Sequence, residues 1–176
     1  CMGSIISASY AAENSNKVRS VTLIGPAGQP GALPSYSWLA RIPFYGDCLM
    51  QFWGDYELIT ALSHHLQRYK EFPEYEENFF QQMQYRGLKA ALLSTIRYMP
   101  VDDSIQIYRQ LSETGLPVTL IWGDQDQLVP VRYLDSMLKI IPQAKGHVIK
   151  NSGHVCNYED ADKVNTILIE ALKSHK

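Results

Sequence analysis

Three short apolar runs, each ended by turn residues, predict β-strands. Residues 18–24 are rich in β-branched side chains and stop at the turn sequence 25–28. A second run, 119–122, is preceded by Leu-Pro-Val and ends at Gly123, and a third short run occupies 147–150. Strands that are apolar throughout are typical of a parallel sheet covered on both faces.

Helical spacing of apolar residues predicts helices between and after these strands. The first follows Gly3 and is rich in small residues, which allow close packing against a sheet. The second is expected to begin just after Pro130 and to end at Pro142. The last has Glu159 and Asp160 in its first turn, where acidic groups favour the helix dipole. This alternation of helix and strand predicts the α/β class, with parallel strands joined by crossover helices.

The segment between the first two strands has a different composition. It is rich in aromatic residues, its periodicity is helical, and it is too long to be a simple connection. We therefore predict a core part at 1–28, a helical cap at 29–105 and a second core part at 106–176. The cap's aromatic residues are expected to form mostly its own small core, with a smaller share facing a site. They are Tyr36, Trp38, Phe44, Tyr45, Phe52, Trp53, Tyr56, Tyr69, Phe72, Tyr75, Phe79, Phe80 and Tyr85.

Composition and charge exclude several classes of protein. The 176 residues are 45% hydrophobic and 19% charged, which is typical of a globular domain. A net charge of −2 gives no general attraction to nucleic acid or anionic membranes. No apolar run reaches the roughly 20 residues that a membrane-spanning helix needs. The motifs of metal and nucleotide sites are missing from the sequence, so we expect neither a metal nor a cofactor.

The cysteines, Cys1, Cys48 and Cys156, are odd in number and irregularly spaced. They do not form a disulfide framework, and they weakly favour a reducing compartment such as the cytoplasm.

Candidate chemical groups stand at the predicted strand ends. Asp124 and Asp126 follow the second strand, and His154 follows the third. Cys1, two residues before Gly3, matches the second half of a nucleophile elbow, the sharp turn that presents a catalytic nucleophile. Parallel strands bring their carboxyl ends to one edge of the sheet, where α/β proteins bind ligands. The other histidines, His64, His65, His147 and His175, have no such setting and are expected to have no role at a site.

The order nucleophile, acid, base matches one of the common triad arrangements. On this order and its motifs the whole chain resembles the α/β-hydrolase superfamily, among its lipase- and esterase-like members with a cap. The motifs are Cys-Met-Gly-Ser, Val-Thr-Leu-Ile-Gly-Pro-Ala-Gly, Ile-Trp-Gly-Asp-Gln-Asp-Gln-Leu-Val-Pro and Ser-Gly-His-Val-Cys-Asn-Tyr-Glu. The inserted segment resembles the cap of such enzymes, notably around Gln84–Thr95.

The resemblance implies a role for each candidate residue. Cys1 is the nucleophile, His154 the base, Asp126 rather than Asp124 the acid, and the Met2 N–H a donor of the oxyanion hole. It implies hydrolysis of a small-molecule carboxylic ester or thioester without a cofactor. Most members have Ser at the position of Cys1, and the strands that precede the nucleophile are not in the sequence. We therefore expect this chain to be the C-terminal portion of an enzyme, paired with an N-terminal fragment of the same protein.

Other interpretations remain open at this point. The start Cys-Met-Gly-Ser also resembles a cloning remnant, and Cys1 could replace a natural Ser. An N-terminal nucleophile enzyme would use its own α-amine as the base. An acyltransferase would use the same triad with an acceptor in place of water. A ligand-binding protein could share the fold without catalysis.

Overall fold

The protein is described by a computed structural model, which covers residues 1–30 and 37–174. Within these ranges one sheet contains β1 (Val21–Ile24), β2 (Val118–Gly123) and β3 (Lys145–Ile149). The strands are parallel, in the order β1-β2-β3. The predicted α/β class with a parallel sheet is therefore confirmed.

The middle strand of the sheet is fully buried, whereas its neighbours are not. Every residue of β2 is buried, while in β3 only Ile149 is. Val21 pairs with Val118, and Thr119 pairs with Lys145, so the three carboxyl ends lie side by side. All three strands differ from their predicted bounds by one to three residues at their first position.

The helices follow the predicted order. They are α1 (Gly3–Glu13), α2 (Tyr45–Leu62), α3 (Pro73–Met83), α4 (Leu88–Tyr98), α5 (Ile105–Glu113), α6 (Tyr133–Ile140), α7 (Cys156–Glu159) and α8 (Ala161–Lys173). Short 3-10 turns lie at Ser15–Lys17, Ser37–Arg41 and Tyr69–Glu71. The helix expected just after Pro130 begins later, because the N–H of Tyr133 bonds to the carbonyl of Pro130 and closes a turn first.

Small residues let α1 pack closely against α5 and β1. Its buried residues are Ser4, Ile5, Ala8 and Ala11, while Ile6 and Tyr10 are exposed. Leu23 of β1 and Leu120 of β2 are buried and belong to the same core as these α1 residues. This packing fixes the start of α1 relative to the sheet.

The predicted aromatic core of the cap is wrong for this chain. Phe44 is 85% exposed and Phe52 76%, and other exposed aromatic residues of this segment are Trp38, Tyr45, Trp53, Tyr56, Phe80 and Tyr85. Instead, ion pairs help to hold α2 to α4: Arg97 to Asp47 over 2.8 Å, and Lys89 to Asp55 over 3.0 Å. Tyr36 lies outside the described residues.

Candidate active site

Backbone groups of the loop after β2 hold the Asp126 carboxylate in place. Oδ1 of Asp126 accepts the backbone N–H groups of Leu128, at 3.0 Å, and Val129, at 2.8 Å. This is the local bonding that Asp side chains favour in turns. The side chain has no exposed surface. Oδ1 is thus occupied, and Oδ2 is the oxygen left to face the third strand.

His154 lies directly against that second oxygen. Its Nδ1 atom is 2.8 Å from Oδ2 of Asp126, and its side chain is only 6% exposed. A carboxylate accepts hydrogen bonds, so we assign the ring proton to Nδ1. The Nε2 atom then carries the lone pair, which is the form a general base needs.

Asp124 has a different function from the neighbouring carboxylate. Its Oδ1 accepts the N–H of Asn151 at 2.7 Å and that of Ser152 at 3.4 Å. The Asp124 carboxylate thus bonds to loop backbone rather than to His154 or to the start of α6. Asp124 instead fixes the backbone of the loop that carries His154.

The backbone of Cys1 lies beside the carboxyl end of β1. Its nitrogen donates to the carbonyl of Ile24 over 2.7 Å, and its carbonyl accepts the N–H of Ala27 at 3.4 Å. Gly25, which follows Ile24, has φ +48° and lies close to His154: a Cβ atom added to Gly25 would be 3.1 Å from Cε1 of His154. Cys1 and His154 are therefore both adjacent to the two-residue segment Ile24-Gly25. Cys1 itself is exposed in this chain.

Met2 occupies the N-cap position of α1, directly after the candidate nucleophile. The first N–H groups of a helix have no partner within the helix, and the helix dipole favours negative charge there. The Met2 N–H is therefore of the kind that can stabilise an oxyanion formed near Cys1.

Comparison with known proteins identifies the family. The sequence profile of the α/β hydrolase fold matches residues 1–161. The chain belongs to the α/β-hydrolase fold family. It is 26% identical to Lipase 1 of Psychrobacter immobilis over 174 residues, which is 92% of this chain and 50% of the lipase. It is 35% identical over 66 residues to a 2-hydroxy-6-oxononadienedioate/2-hydroxy-6-oxononatrienedioate hydrolase of Dechloromonas aromatica, 36% of this chain and 22% of that enzyme.

Solved structures show the same fold. A thermophilic esterase from Thermogutta terrifontis superposes with a TM-score of 0.78 at 18% identity, covering 99% of this chain and 63% of the esterase. A meta-cleavage product hydrolase from Pseudomonas fluorescens IP01 gives a TM-score of 0.74 at 17% identity, covering 100% of this chain and 63% of that enzyme. By sequence, this α/β-hydrolase chain spans about half the length of Lipase 1, and its match to the Dechloromonas aromatica hydrolase covers 22% of that enzyme.

A second histidine lies close to the first, although its sequence setting gave no reason to select it. His65 follows α2 in the segment between β1 and β2, and its ring centroid is 6.4 Å from that of His154. Its Nδ1 bonds to the hydroxyl of Tyr75 at 2.9 Å, and Phe79 packs against its ring. Burial, and then the neighbouring His154, lower the pKa of His65 to about 4. His65 is therefore a neutral polar group beside the candidate base.

The other cysteines of this α/β-hydrolase chain are poor nucleophile candidates. Cys156 is completely buried, and burial raises the pKa of its thiol to about 11. Cys48 is exposed on α2, in the segment between β1 and β2.

The described residues contain neither a cluster of metal-binding side chains nor a membrane-spanning helix. Within residues 1–30 and 37–174, no three His, Cys, Asp or Glu side chains are grouped to hold a metal ion. None of the helices in those ranges is both long and apolar enough to cross a bilayer.

Proposed function

We propose that the complete protein hydrolyses a carboxylic ester or thioester with Cys1, His154 and Asp126 as its triad. The observation that carries the proposal is the buried pair of His154 and Asp126, joined over 2.8 Å. It lies against Gly25, whose neighbour Ile24 bonds to the backbone of Cys1. Covalent acyl transfer requires a nucleophile, a base and an orienting acid, and the three candidates lie at the same edge of the sheet.

In the proposed reaction, Sγ of Cys1 attacks the carbonyl carbon while Nε2 of His154 takes the thiol proton. The Asp126 carboxylate stabilises the imidazolium, and the Met2 N–H stabilises the oxyanion. Collapse of the intermediate releases the alcohol or thiol, which leaves with the proton from His154. A water molecule, deprotonated by His154, then attacks the thioester to Cys1. The acid departs, and the proton returns to the thiol.

The ester class is supported by likeness across nearly the whole chain. The match to Lipase 1 covers 92% of this chain, and the superposed Thermogutta terrifontis protein is an esterase. A meta-cleavage product is the second candidate substrate, because relatives of that activity reach 35% identity over a shorter segment.

We further propose that an N-terminal portion of the same protein completes the site. Cys1 bonds to Ile24 at the carboxyl end of β1, where a strand leading into the nucleophile would pair with β1. The chain spans 50% of Lipase 1 and 63% of the superposed esterase, which leaves room for such strands in a relative of equal length. The division into core at 1–28, cap at 29–105 and core at 106–176 remains our prediction for this chain.

The test compares product formation with and without that portion. Residues 1–176 alone, and the full-length protein, are assayed on p-nitrophenyl acetate, a thioester and a meta-cleavage product, each with and without an alcohol acceptor. The proposal expects the free acid from the ester or thioester, and only from the full-length protein. Transfer to the acceptor in place of hydrolysis would identify an acyltransferase, and tight binding without turnover a ligand-binding protein.

A further inference from the structure

The loop that carries His154 is held by the carboxylate of Glu159. Glu159 was expected in the first turn of the last helix, as a partner of its dipole. That expectation is wrong, because Glu159 ends the short helix α7 and its side chain has no exposed surface. A carboxylate that is completely buried is costly unless each oxygen is bonded. Both of its oxygens are bonded to backbone groups.

One oxygen of Glu159 binds the loop, and the other binds the cap. Oε2 accepts the N–H of Gly153, the residue immediately before His154. Oε1 accepts the N–H of Arg68, in the cap, over 2.6 Å. The Glu159 side chain therefore joins the backbone of Gly153 to the backbone of Arg68.

The guanidinium of Arg68 strengthens this connection. Its Nη2 donates to the carbonyl of Glu159 over 2.7 Å and to Oδ2 of Asp160 over 2.8 Å. The same oxygen of Asp160 accepts the hydroxyl of Ser152 over 2.6 Å, two residues before His154. Hydrogen bonds to charged partners are stronger than neutral ones, and these bonds are partly buried. The loop is thus held on both of the residues that precede His154.

The backbones of loop and cap also touch directly at Gly153. A Cβ atom there would lie 2.7 Å from the carbonyl oxygen of His65 and 2.7 Å from the nitrogen of Gln67. The N–H of Val155 donates to that same carbonyl over 3.1 Å. His154 is therefore flanked on both sides by residues in contact with the cap segment 65–68.

We propose that Glu159 is a positioning residue for His154: its buried carboxylate fixes the loop against cap segment 65–68 and so holds the imidazole on Asp126. This inference rests on the proposed triad. Glu159 touches no reacting atom and acts through His154. A displacement of about 1 Å at a catalytic group can cost on the order of 100-fold in rate, so such a tie affects turnover more than substrate binding.

The test is a double-mutant cycle in the full-length protein, with kcat normalised to titrated active sites. Glu159→Gln keeps the shape but points an N–H₂ group at one of the two backbone donors. We expect it to lower kcat by roughly 10- to 100-fold with little change in KM. Glu170→Gln, on the exposed face of α8, is the matched control and should leave kcat unchanged.

The second arm of the cycle separates positioning from general stability. In a His154→Ala background, Glu159→Gln should have no further effect, because the group that it positions is gone. An equal loss in both backgrounds, or no loss in either, would overturn the inference. If Glu159→Gln does not fold, Gly153→Ala, which pushes the cap segment away, enters the same cycle with the same expectations.

Turnover of the His154→Ala variant distinguishes failure of the proposed function from failure of the positioning inference. If His154→Ala alone leaves turnover unchanged, the triad itself is wrong, and the positioning inference is overturned with it. If His154→Ala removes turnover while the Glu159 and Gly153 variants keep the parent kcat, only the positioning inference is overturned.

Discussion

Asp124 and Asp126, two residues apart, fix two different parts of one loop. Asp126 binds the imidazole of His154 over 2.8 Å, while Asp124 binds the backbone N–H of Asn151 over 2.7 Å. The first contact is to a group that would exchange protons, and the second is to a group that would not. Substitution of the two residues therefore distinguishes catalysis from support of the loop.

Replacing each aspartate by asparagine should give very different losses. Asp126→Asn removes the charge that stabilises the imidazolium and favours the wrong ring tautomer, so kcat should fall by about 10⁴-fold. Asp124→Asn keeps a carbonyl oxygen that can accept the same N–H, so we expect less than about a tenfold loss. Steady-state kinetics on p-nitrophenyl acetate would measure both. A larger loss for Asp124→Asn would show that the acid is misassigned.

Substitutions at the nucleophile and the base should differ in the same assay. Cys1→Ala should abolish turnover, whereas Cys1→Ser should retain measurable hydrolysis, because His154 can activate a hydroxyl as well. His154→Ala should cost several orders of magnitude, since the members of a triad act as a unit. Circular dichroism of each variant controls for folding. A fully active His154→Ala variant would exclude the proposed base.

The fold and the candidate pair Asp126 and His154 could be predicted from local sequence patterns. β2 is a continuous apolar run ended by Gly123, and Asp126 and His154 each lie within five residues of a strand end. These are signals within a few residues of the chain, and the parallel sheet brings the strand ends together. The choice of Asp126 over Asp124 came from the family resemblance, because both stand at the same strand end.

The contacts between the segment that joins β1 to β2 and the loop that carries His154 could not be predicted in this way. His65 and His154 are 89 positions apart, and Arg68 and Glu159 are 91 apart. Nothing in their neighbouring sequence indicates that they meet. Helical periodicity likewise could not show that Phe52 and other cap aromatics would be exposed rather than packed together, since it gives spacing and not the partner of each face.

The three cysteines should differ in their rate of alkylation. Iodoacetamide should modify Cys1 first, because His154 can take its proton and raise the fraction of reactive thiolate. Cys48 is exposed and should follow, and Cys156 should react only on unfolding, because it is buried and burial raises its pKa to about 11. Peptide mass mapping over time gives the order. Modification of Cys48 ahead of Cys1 would contradict an activated thiol at Cys1.

Acid should destabilise the folded protein partly through His65. Burial lowers its folded-state pKa to about 4 from an ordinary value of 6.5, so between these values the unfolded chain binds a proton that the folded chain does not. The free energy of unfolding should therefore fall as the pH falls from 6.5 to 4, with no contribution from His65 above that window. Urea titrations at several pH values should show a smaller decline for His65→Asn. Identical declines would contradict a half-buried His65 that stays neutral in the folded chain.

The central claim is that Cys1 carries the acyl group during turnover. The most direct measurement is intact mass of the full-length protein, quenched in acid soon after mixing with p-nitrophenyl acetate. We predict one added acetyl group, mapped to the peptide that contains Cys1 and missing from Cys1→Ala. An unmodified parent, or a Cys1→Ala variant that is acylated and turns over as fast as the parent, would contradict the account.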